Sequence, residues 1–122
     1  MINGSDPELL ASWMQRGPLI DVDQRMLTVR SIKLVADGAL GSRGAWLLEP
    51  YSDRAGHNGL PTMPVSEMQD ISHLAYRNGF QIAIHAIGDR ANREVLDIFE
   101  RCSLGKMKPI TEVNTSFRLM QR

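Results

Sequence analysis

Apolar residues recur at helical spacing near the start of the chain, at Leu9, Leu10, Trp13 and Met14. Residues 6–8, Asp-Pro-Glu, precede them and are typical of a helix start, because Asp caps the first turn and Pro fits its backbone. Gly17-Pro18 ends the pattern. The spacing predicts a short amphipathic helix that begins near Pro7 and ends before Gly17.

Two other stretches have the composition of β-strands. Residues 29–35, Val-Arg-Ser-Ile-Lys-Leu-Val, are rich in β-branched side chains and run into the turn sequence Ala-Asp-Gly. Residues 80–85, Phe-Gln-Ile-Ala-Ile-His, are almost continuously apolar. This second pattern is typical of a parallel strand with both faces covered.

Two more helices complete the pattern. One begins at Pro64 and ends at Asn78-Gly79, which predicts a left-handed cap, and another runs from about Arg90 to just before Gly105. Their apolar stripes are Val65, Met68, Ile71 and Ala75 in the first, and Ala91, Val95, Ile98, Phe99 and Cys102 in the second. The alternation of strands and helices predicts the α/β class with a parallel sheet.

Residues 36–63 form an irregular segment that is longer than a routine connection, and such loops are often functional. Glycines at positions 38, 41 and 44 are spaced so that backbone N–H groups could form an anion-binding concavity, to which Arg43 adds a positive charge. The segment matches neither the phosphate-binding loop nor the dinucleotide fingerprint. By itself it is therefore a weak indication.

Two strand residues are candidates for chemistry. Lys33 stands between Ile32 and Leu34 in a strand type that usually buries both faces, and a buried ammonium requires a partner or neutralisation. The commoner alternative is an edge strand with a solvated lysine. His85 ends its strand at the edge where parallel folds collect functional groups, although a structural hydrogen bond is the competing interpretation.

The remaining polar candidates are Asp89, His57 and His73. Asp89 is a candidate to cap the following helix and to orient His85, and the two roles are compatible. His57 lies in a polar turn and His73 lies on the second helix beside Ser72, so both are expected at the surface.

Composition narrows the range of partners. The 14 basic and 14 acidic residues cancel without forming blocks, which argues against binding to nucleic acid or to an anionic membrane. Cys102 is the single cysteine and cannot form an intrachain disulfide, so we expect a reduced, cytoplasmic setting. No apolar stretch approaches the roughly 20 residues that cross a bilayer.

Three motifs occur in order: Ile-Lys-Leu-Val-Ala-Asp-Gly-Ala-Leu-Gly-Ser-Arg-Gly at residues 32–44, Glu-Pro-Tyr-Ser-Asp at residues 49–53, and His-Ala-Ile-Gly-Asp-Arg-Ala at residues 85–91. Together they closely resemble amidohydrolase family 3, a group of metal-dependent hydrolases. The resemblance extends from near the start of the chain to about Arg101.

The resemblance implies a (β/α)8 barrel that binds one or two divalent metals, with zinc expected, at the carboxyl ends of its strands. Lys33 matches the strand-four lysine that can be carboxylated to bridge two metals, and His85 matches the strand-five histidine ligand. A full barrel takes about 250 residues, so about two or three of its eight strands would be present. Residues 1–105 would surround strands four and five, and residues 106–122 would be a divergent or truncated tail.

The implied reaction is hydrolysis of a carbon–nitrogen bond, other than a peptide bond, in a small-molecule substrate by metal-activated water. Asp37, Gly38 and Arg43 would contact the substrate. Asp89 would orient the metal ligand His85 without binding the metal itself. No catalytic residue is assigned, because the family's strand-one His-x-His pair, strand-six histidine and strand-eight aspartate are missing.

Two alternatives without catalysis stay open at this point. The chain could be an interaction module that forms homo-oligomers through exposed strand edges. It could instead be a small α/β domain whose glycine loop binds an anion.

Overall fold

A computed structural model of the protein describes residues 1–105, so the predicted tail at 106–122 lies outside the described residues. The elements in chain order are β1 (Ile2–Asn3), α1 (Pro7–Arg16), β2 (Leu19–Asp21), α2 (Val22–Arg25), β3 (Leu27–Val29), β4 (Ser31–Val35), α3 (Val65–Arg77), β5 (Gln81–His85) and α4 (Asp89–Ser103). Within this part of the chain, no helix combines the length and apolar character that a membrane span requires.

The structure confirms the helix that was predicted between Pro7 and Gly17. Asp6 is the N-cap of α1 and accepts the N–H of Leu9 at 3.0 Å, and Gly17 ends the helix with φ 78°. Leu10 and Met14 are its buried residues. The capping carboxylate and the C-terminal glycine are local signals, so the sequence alone locates both ends of this helix.

The predicted strand at residues 29–35 is two strands in the structure. Residues up to Val29 belong to β3, which pairs antiparallel with β2, whereas β4 begins at Ser31 and pairs parallel with β1. The short strands β1 and β2 were not predicted, because two or three residues carry too little alternation to be recognised.

A parallel sheet has the strand order β1-β4-β5. Its middle strand, β4, buries Ile32 and Leu34 completely, so the edge-strand alternative for Lys33 is wrong. The strand predicted at residues 80–85 is confirmed as β5, but its expected burial on both faces is wrong, because Gln81 is exposed and residues 82–85 are only partly buried. An apolar stretch shows what a strand is able to bury and does not show which neighbours cover it.

The described residues divide into two compact units. The first contains residues 1–34 and 70–83, and the second contains residues 35–69 and 84–105. Buried apolar residues of the first unit are Ile2, Leu10, Met14, Ile32, Leu34, Ile71, Ala75 and Phe80. Those of the second are Ala36, Ala45, Met68, Ala91, Val95, Ile98 and Cys102.

His73 corrects a prediction, because it is buried, with 7% of its surface exposed. Neither its Nδ1 nor the buried Oγ of Ser72 has a hydrogen-bond partner among the described residues. Ser72 follows Met68 by one helical turn and lies on the same face of α3. The buried face of α3 therefore includes polar residues as well as apolar ones. Burial lowers the pKa of His73, the charge of Arg77 lowers it further, and Asp70 opposes the shift.

We expect His73 to make the protein less stable in mild acid. Its folded-state pKa lies below the unfolded value of about 6.5, so unfolding takes up a proton as the pH falls below that value. The stability is therefore complete above about pH 6.5 and decreases below it. Urea unfolding at pH 7.5 and pH 5.5 should show a smaller acid loss for His73→Met than for the unsubstituted protein.

His57→Gln, at a half-buried position in the second unit, is the matched control and should retain the acid loss caused by His73. Equal acid losses in the His73→Met variant and the unsubstituted protein would rule out His73 as the source.

Candidate functional site

Asp37 is a buried carboxylate in the second unit that accepts three backbone hydrogen bonds. It follows β4 by two residues, and its carboxylate has no exposed surface. Its Oδ1 accepts the N–H of Ile87 at 2.9 Å, and its Oδ2 accepts the N–H groups of Trp46 and Gly88, each at 2.8 Å. Three backbone donors therefore compensate the buried charge. Its predicted contact with substrate stays a prediction, since all three bonds are to the chain itself.

Two glycines lie against the backbone of Ala45 and Trp46. A Cβ on Gly59 would overlap the carbonyl oxygen of Ala45, and a Cβ on Gly88 would overlap the carbonyl oxygen of Trp46. The Ala45 oxygen also accepts the Tyr51 hydroxyl at 2.8 Å. This close backbone approach fixes the long loop against the turn between β5 and α4.

His85 ends β5, as the sequence predicted. Its side chain is 37% exposed, and its Nε2 lies 3.9 Å from Oδ1 of Asp37. Its carbonyl oxygen accepts the N–H of Ala36 at 2.8 Å, so the backbone of the residue is fixed. An imidazole that is partly exposed at a strand end is able to take a ligand or a proton.

Lys33 lies at the centre of β4, in the first unit, where its Cα pairs with that of Asn3. The residue is partly exposed, unlike its fully buried neighbours Ile32 and Leu34. Partial exposure lets the ammonium keep some water, so its burial is less costly than the sequence suggested.

The glycine loop is bonded internally. Gly38 donates its N–H to the carbonyl of Gly44 at 3.0 Å, Arg43 donates to Leu40 at 2.9 Å, and Gly44 donates to Ala39 at 2.9 Å. These three N–H groups are bonded within the loop, and the anion-binding concavity stays a prediction. Gly38 also lies so close to Gly44 that an added Cβ would be 3.2 Å from the Gly44 Cα.

Arg43 forms a two-point ion pair with Asp53, with Nε and Nη2 lying 3.2 and 2.8 Å from the two carboxylate oxygens. The hydrogen bond to Arg43 lowers the pKa of Asp53, and the same bond raises the pKa of Arg43. The guanidinium thus has a partner within the loop, and its predicted contact with substrate stays a prediction.

His57 is half-buried, so its expected surface position is only partly correct. Its Nε2 lies 3.0 Å from the carbonyl oxygen of Arg43, and its ring stacks on Tyr51 with centroids 5.8 Å apart. These contacts give His57 a structural place in the loop.

Asp89 is the first residue of α4, and Gly88 is the N-cap. Its Oδ1 accepts the N–H of Leu48 at 2.9 Å and that of Arg90 at 2.8 Å. The carboxylate thus joins the long loop to the start of α4, a contact that neither sequence interpretation included. Its predicted support of a metal ligand stays a prediction.

Among residues 1–105, no group of three or more His, Cys, Asp or Glu side chains is arranged to hold a metal ion. Lys33 and His85 have suitable donor chemistry, if the lysine is carboxylated, but two ligands do not complete a site. Sequence reasoning also missed Trp46, whose backbone contacts Asp37 and whose ring lies under the Arg90 guanidinium, 4.9 Å from the centroid. Its importance comes from main-chain atoms, which leave no signal in residue type.

The chain is similar to a known protein family and to several known proteins. The family described as "Amidohydrolase family" matches residues 3–112. Protein LONG AFTER FAR-RED 3 of Arabidopsis thaliana is 36% identical over 75% of this chain. YtcJ of Bacillus subtilis, whose name assigns it provisionally to the amidohydrolases, is 39% identical over 58% of the chain. The chain spans only 15% and 13% of the lengths of these two relatives.

Two solved structures of metal-dependent hydrolases, both uncharacterized, are also similar. The one from Pyrococcus horikoshii has 40% identity and a TM-score of 0.68, and the match covers 77% of this chain and 19% of that one. The one from Pyrococcus furiosus has 36% identity and a TM-score of 0.70 over 80% of this chain and 20% of that one.

Proposed function

Because the chain belongs to the amidohydrolase family, we propose that it contributes to the metal centre of a hydrolase that cleaves carbon–nitrogen bonds other than peptide bonds. The observation that carries the proposal is the partly exposed imidazole of His85 at the carboxyl end of β5. Its substrate is a small molecule, with Gly38 and Arg43 as the proposed contacts. The single cysteine favours a cytoplasmic location.

We propose Lys33 as a ligand of divalent metal and likewise His85, with zinc as the first candidate. The imidazole binds through a neutral ring nitrogen. The Lys33 amine reacts with carbon dioxide, forming an N–C bond and releasing a proton, and the resulting carbamate offers anionic oxygen in place of a cation. When bound, the metal supplies Lewis acidity toward the substrate carbonyl. The proposal assigns two ligands to this chain and not a complete site.

Metal binding should depend on both residues. After equilibration of the purified protein with zinc and gel filtration, elemental analysis should find bound metal in the unsubstituted protein. The Lys33→Ala and His85→Ala variants should lose most of it, because each removes one of few ligands. The His57→Ala variant should retain it, since that imidazole contacts Arg43 and Tyr51 in the long loop.

Carboxylation has its own signature. Labelling with ¹³C-bicarbonate should give a carbamate carbon resonance that is missing in Lys33→Arg. Equal zinc contents in the unsubstituted protein and both ligand variants would contradict the proposed ligands. If the unsubstituted protein holds no metal, the alternative of an interaction module becomes the better one. That alternative is favoured by the edge position of β5 in the sheet formed by residues 1–105, and sedimentation should then find an oligomer.

A further inference from the structure

We propose that Asp37 is a positioning residue for His85, and that its carboxylate acts on the backbone that carries the histidine instead of binding substrate. This inference rests on the proposed function only in one respect, namely that His85 binds a metal ion. The hydrogen bonds themselves do not depend on it.

The residues Ala36 and Asp37 hold the backbone that directly follows the His85 side chain. Ala36 donates its N–H to the carbonyl of His85 at 2.8 Å. Asp37 then accepts the N–H groups of Ile87 at 2.9 Å and Gly88 at 2.8 Å, two and three residues further on. The direction in which the imidazole leaves the backbone is therefore fixed by neighbouring residues of one short segment.

The hold on His85 acts through the main chain. Nε2 of His85 lies 3.9 Å from the nearer Asp37 oxygen, which is beyond a direct hydrogen bond. The ring nitrogen is therefore not engaged by Asp37, which leaves it able to bind another group. A carboxylate in direct hydrogen-bond contact with the same nitrogen would compete with such a ligand.

The burial of Asp37 argues against contact with substrate. The side chain has no exposed surface, and its two oxygens already accept three backbone N–H groups. The third donor, Trp46, ties the long loop to the same carboxylate. One buried anion thus joins the end of β4, the turn after β5 and the loop, so loss of that anion should loosen all three.

The conservative change Asp37→Asn separates positioning from folding. The amide has one acceptor oxygen, which can still serve Trp46 and Gly88, but its NH₂ group would face the N–H of Ile87. The variant keeps the size of the side chain and removes mainly the bond nearest His85. Ile98→Ala is the matched control, because it removes a buried side chain from α4 and leaves every Asp37 bond in place.

The experiment uses nuclear magnetic resonance on the metal-free full chain. Exchange of the Ile87 and Gly88 amides and the order of the three imidazole rings are measured, followed by calorimetric titration with Zn²⁺. In Asp37→Asn we expect faster exchange at Ile87, a less ordered His85 ring and zinc affinity weaker by about 10- to 100-fold. Ile98→Ala should lower the unfolding free energy but leave the His85 ring and zinc affinity as they are.

The outcomes distinguish this inference from the proposed function. A His85 ring that stays equally ordered in Asp37→Asn, or that loosens as much in Ile98→Ala, would overturn the positioning role. Rapid exchange of both amides in the unsubstituted protein would overturn it without any variant. If the unsubstituted protein binds no zinc while the ring and amide changes appear as expected, only the proposed function fails.

Discussion

The substitution Gly88→Ala should destabilise the protein severely, lowering the unfolding free energy by at least about 3 kcal/mol. A Cβ at this position would overlap the Trp46 carbonyl oxygen and lie 2.7 Å from the Trp46 nitrogen. Both are backbone atoms, so no side chain can turn away to make room. Because the unfolding free energy of a whole domain is only about 5–15 kcal/mol, this change would remove a large fraction of it.

The backbone around Gly88 also leaves few ways to relieve the overlap. The Trp46 oxygen accepts the N–H of Ala91 at 3.3 Å, and the Trp46 nitrogen donates to Asp37 at 2.8 Å. Moving Trp46 away from an added methyl group would lengthen both bonds. We therefore expect Gly88→Ala also to weaken the Asp37 contacts that hold the turn after β5.

Gly41→Ala is the matched control for this prediction. A Cβ on Gly41 would meet no heavy atom within 4 Å in residues 1–105 beyond its chain neighbours. Its φ also lies outside the left-handed range, so the change should cost less than about 1 kcal/mol. Urea unfolding followed by circular dichroism would measure both variants. Similar midpoints for the two would show that the backbone at Trp46 yields to a methyl group.

The second large effect is expected at Gly59, where alanine should cost about 2 kcal/mol or more beyond the backbone penalty alone. Gly59 has φ 74°, and a Cβ there would overlap the Ala45 carbonyl oxygen and lie 2.7 Å from the carbonyl carbon. That oxygen also accepts the Tyr51 hydroxyl. The overlap should therefore displace the Ala45 peptide and with it the bond from Tyr51.

Gly56 offers an unusually close control for Gly59. Its φ is 77°, but a Cβ there would meet no atom within 4 Å in the described part of the chain. Gly56→Ala should therefore cost only the left-handed penalty of about 1–2 kcal/mol. The difference between the two alanine variants in unfolding free energy isolates the steric term. Equal losses would mean that the contact between Gly59 and Ala45 is not tight in solution.

The close contacts of Gly59 and Gly88 explain why a loop of this length is ordered. Gly59 packs against the Ala45 carbonyl and Gly88 packs against the Trp46 carbonyl, while Asp37 accepts the N–H of Trp46. A long loop that is fixed in this way can present its side chains in a defined position, which a substrate pocket requires. The proposed contacts Gly38 and Arg43 lie in the same loop.

Much of the fold could be predicted from the sequence where the signals are local. Asp6 and Gly17 located the ends of α1, and Asn78-Gly79 located the end of α3. The apolar stripe of α4 was predicted correctly at Ala91, Val95, Ile98 and Cys102, all of which are buried. Such signals depend on the geometry of one turn or one helix face, so they can be recognised in the sequence without knowledge of distant residues.

The family and the strand-end position of His85 were likewise determined by the sequence, because ordered motifs and strand ends are properties of the chain. Only the tertiary structure decided that His73 is buried, that β5 is an edge strand among the described residues, and that Asp37 bonds three distant amides. Each of these depends on which segments meet in space. A hydrogen bond between residues 37 and 88 produces no periodic pattern in the sequence. The same is true of the burial of His73 by residues that are distant along the chain.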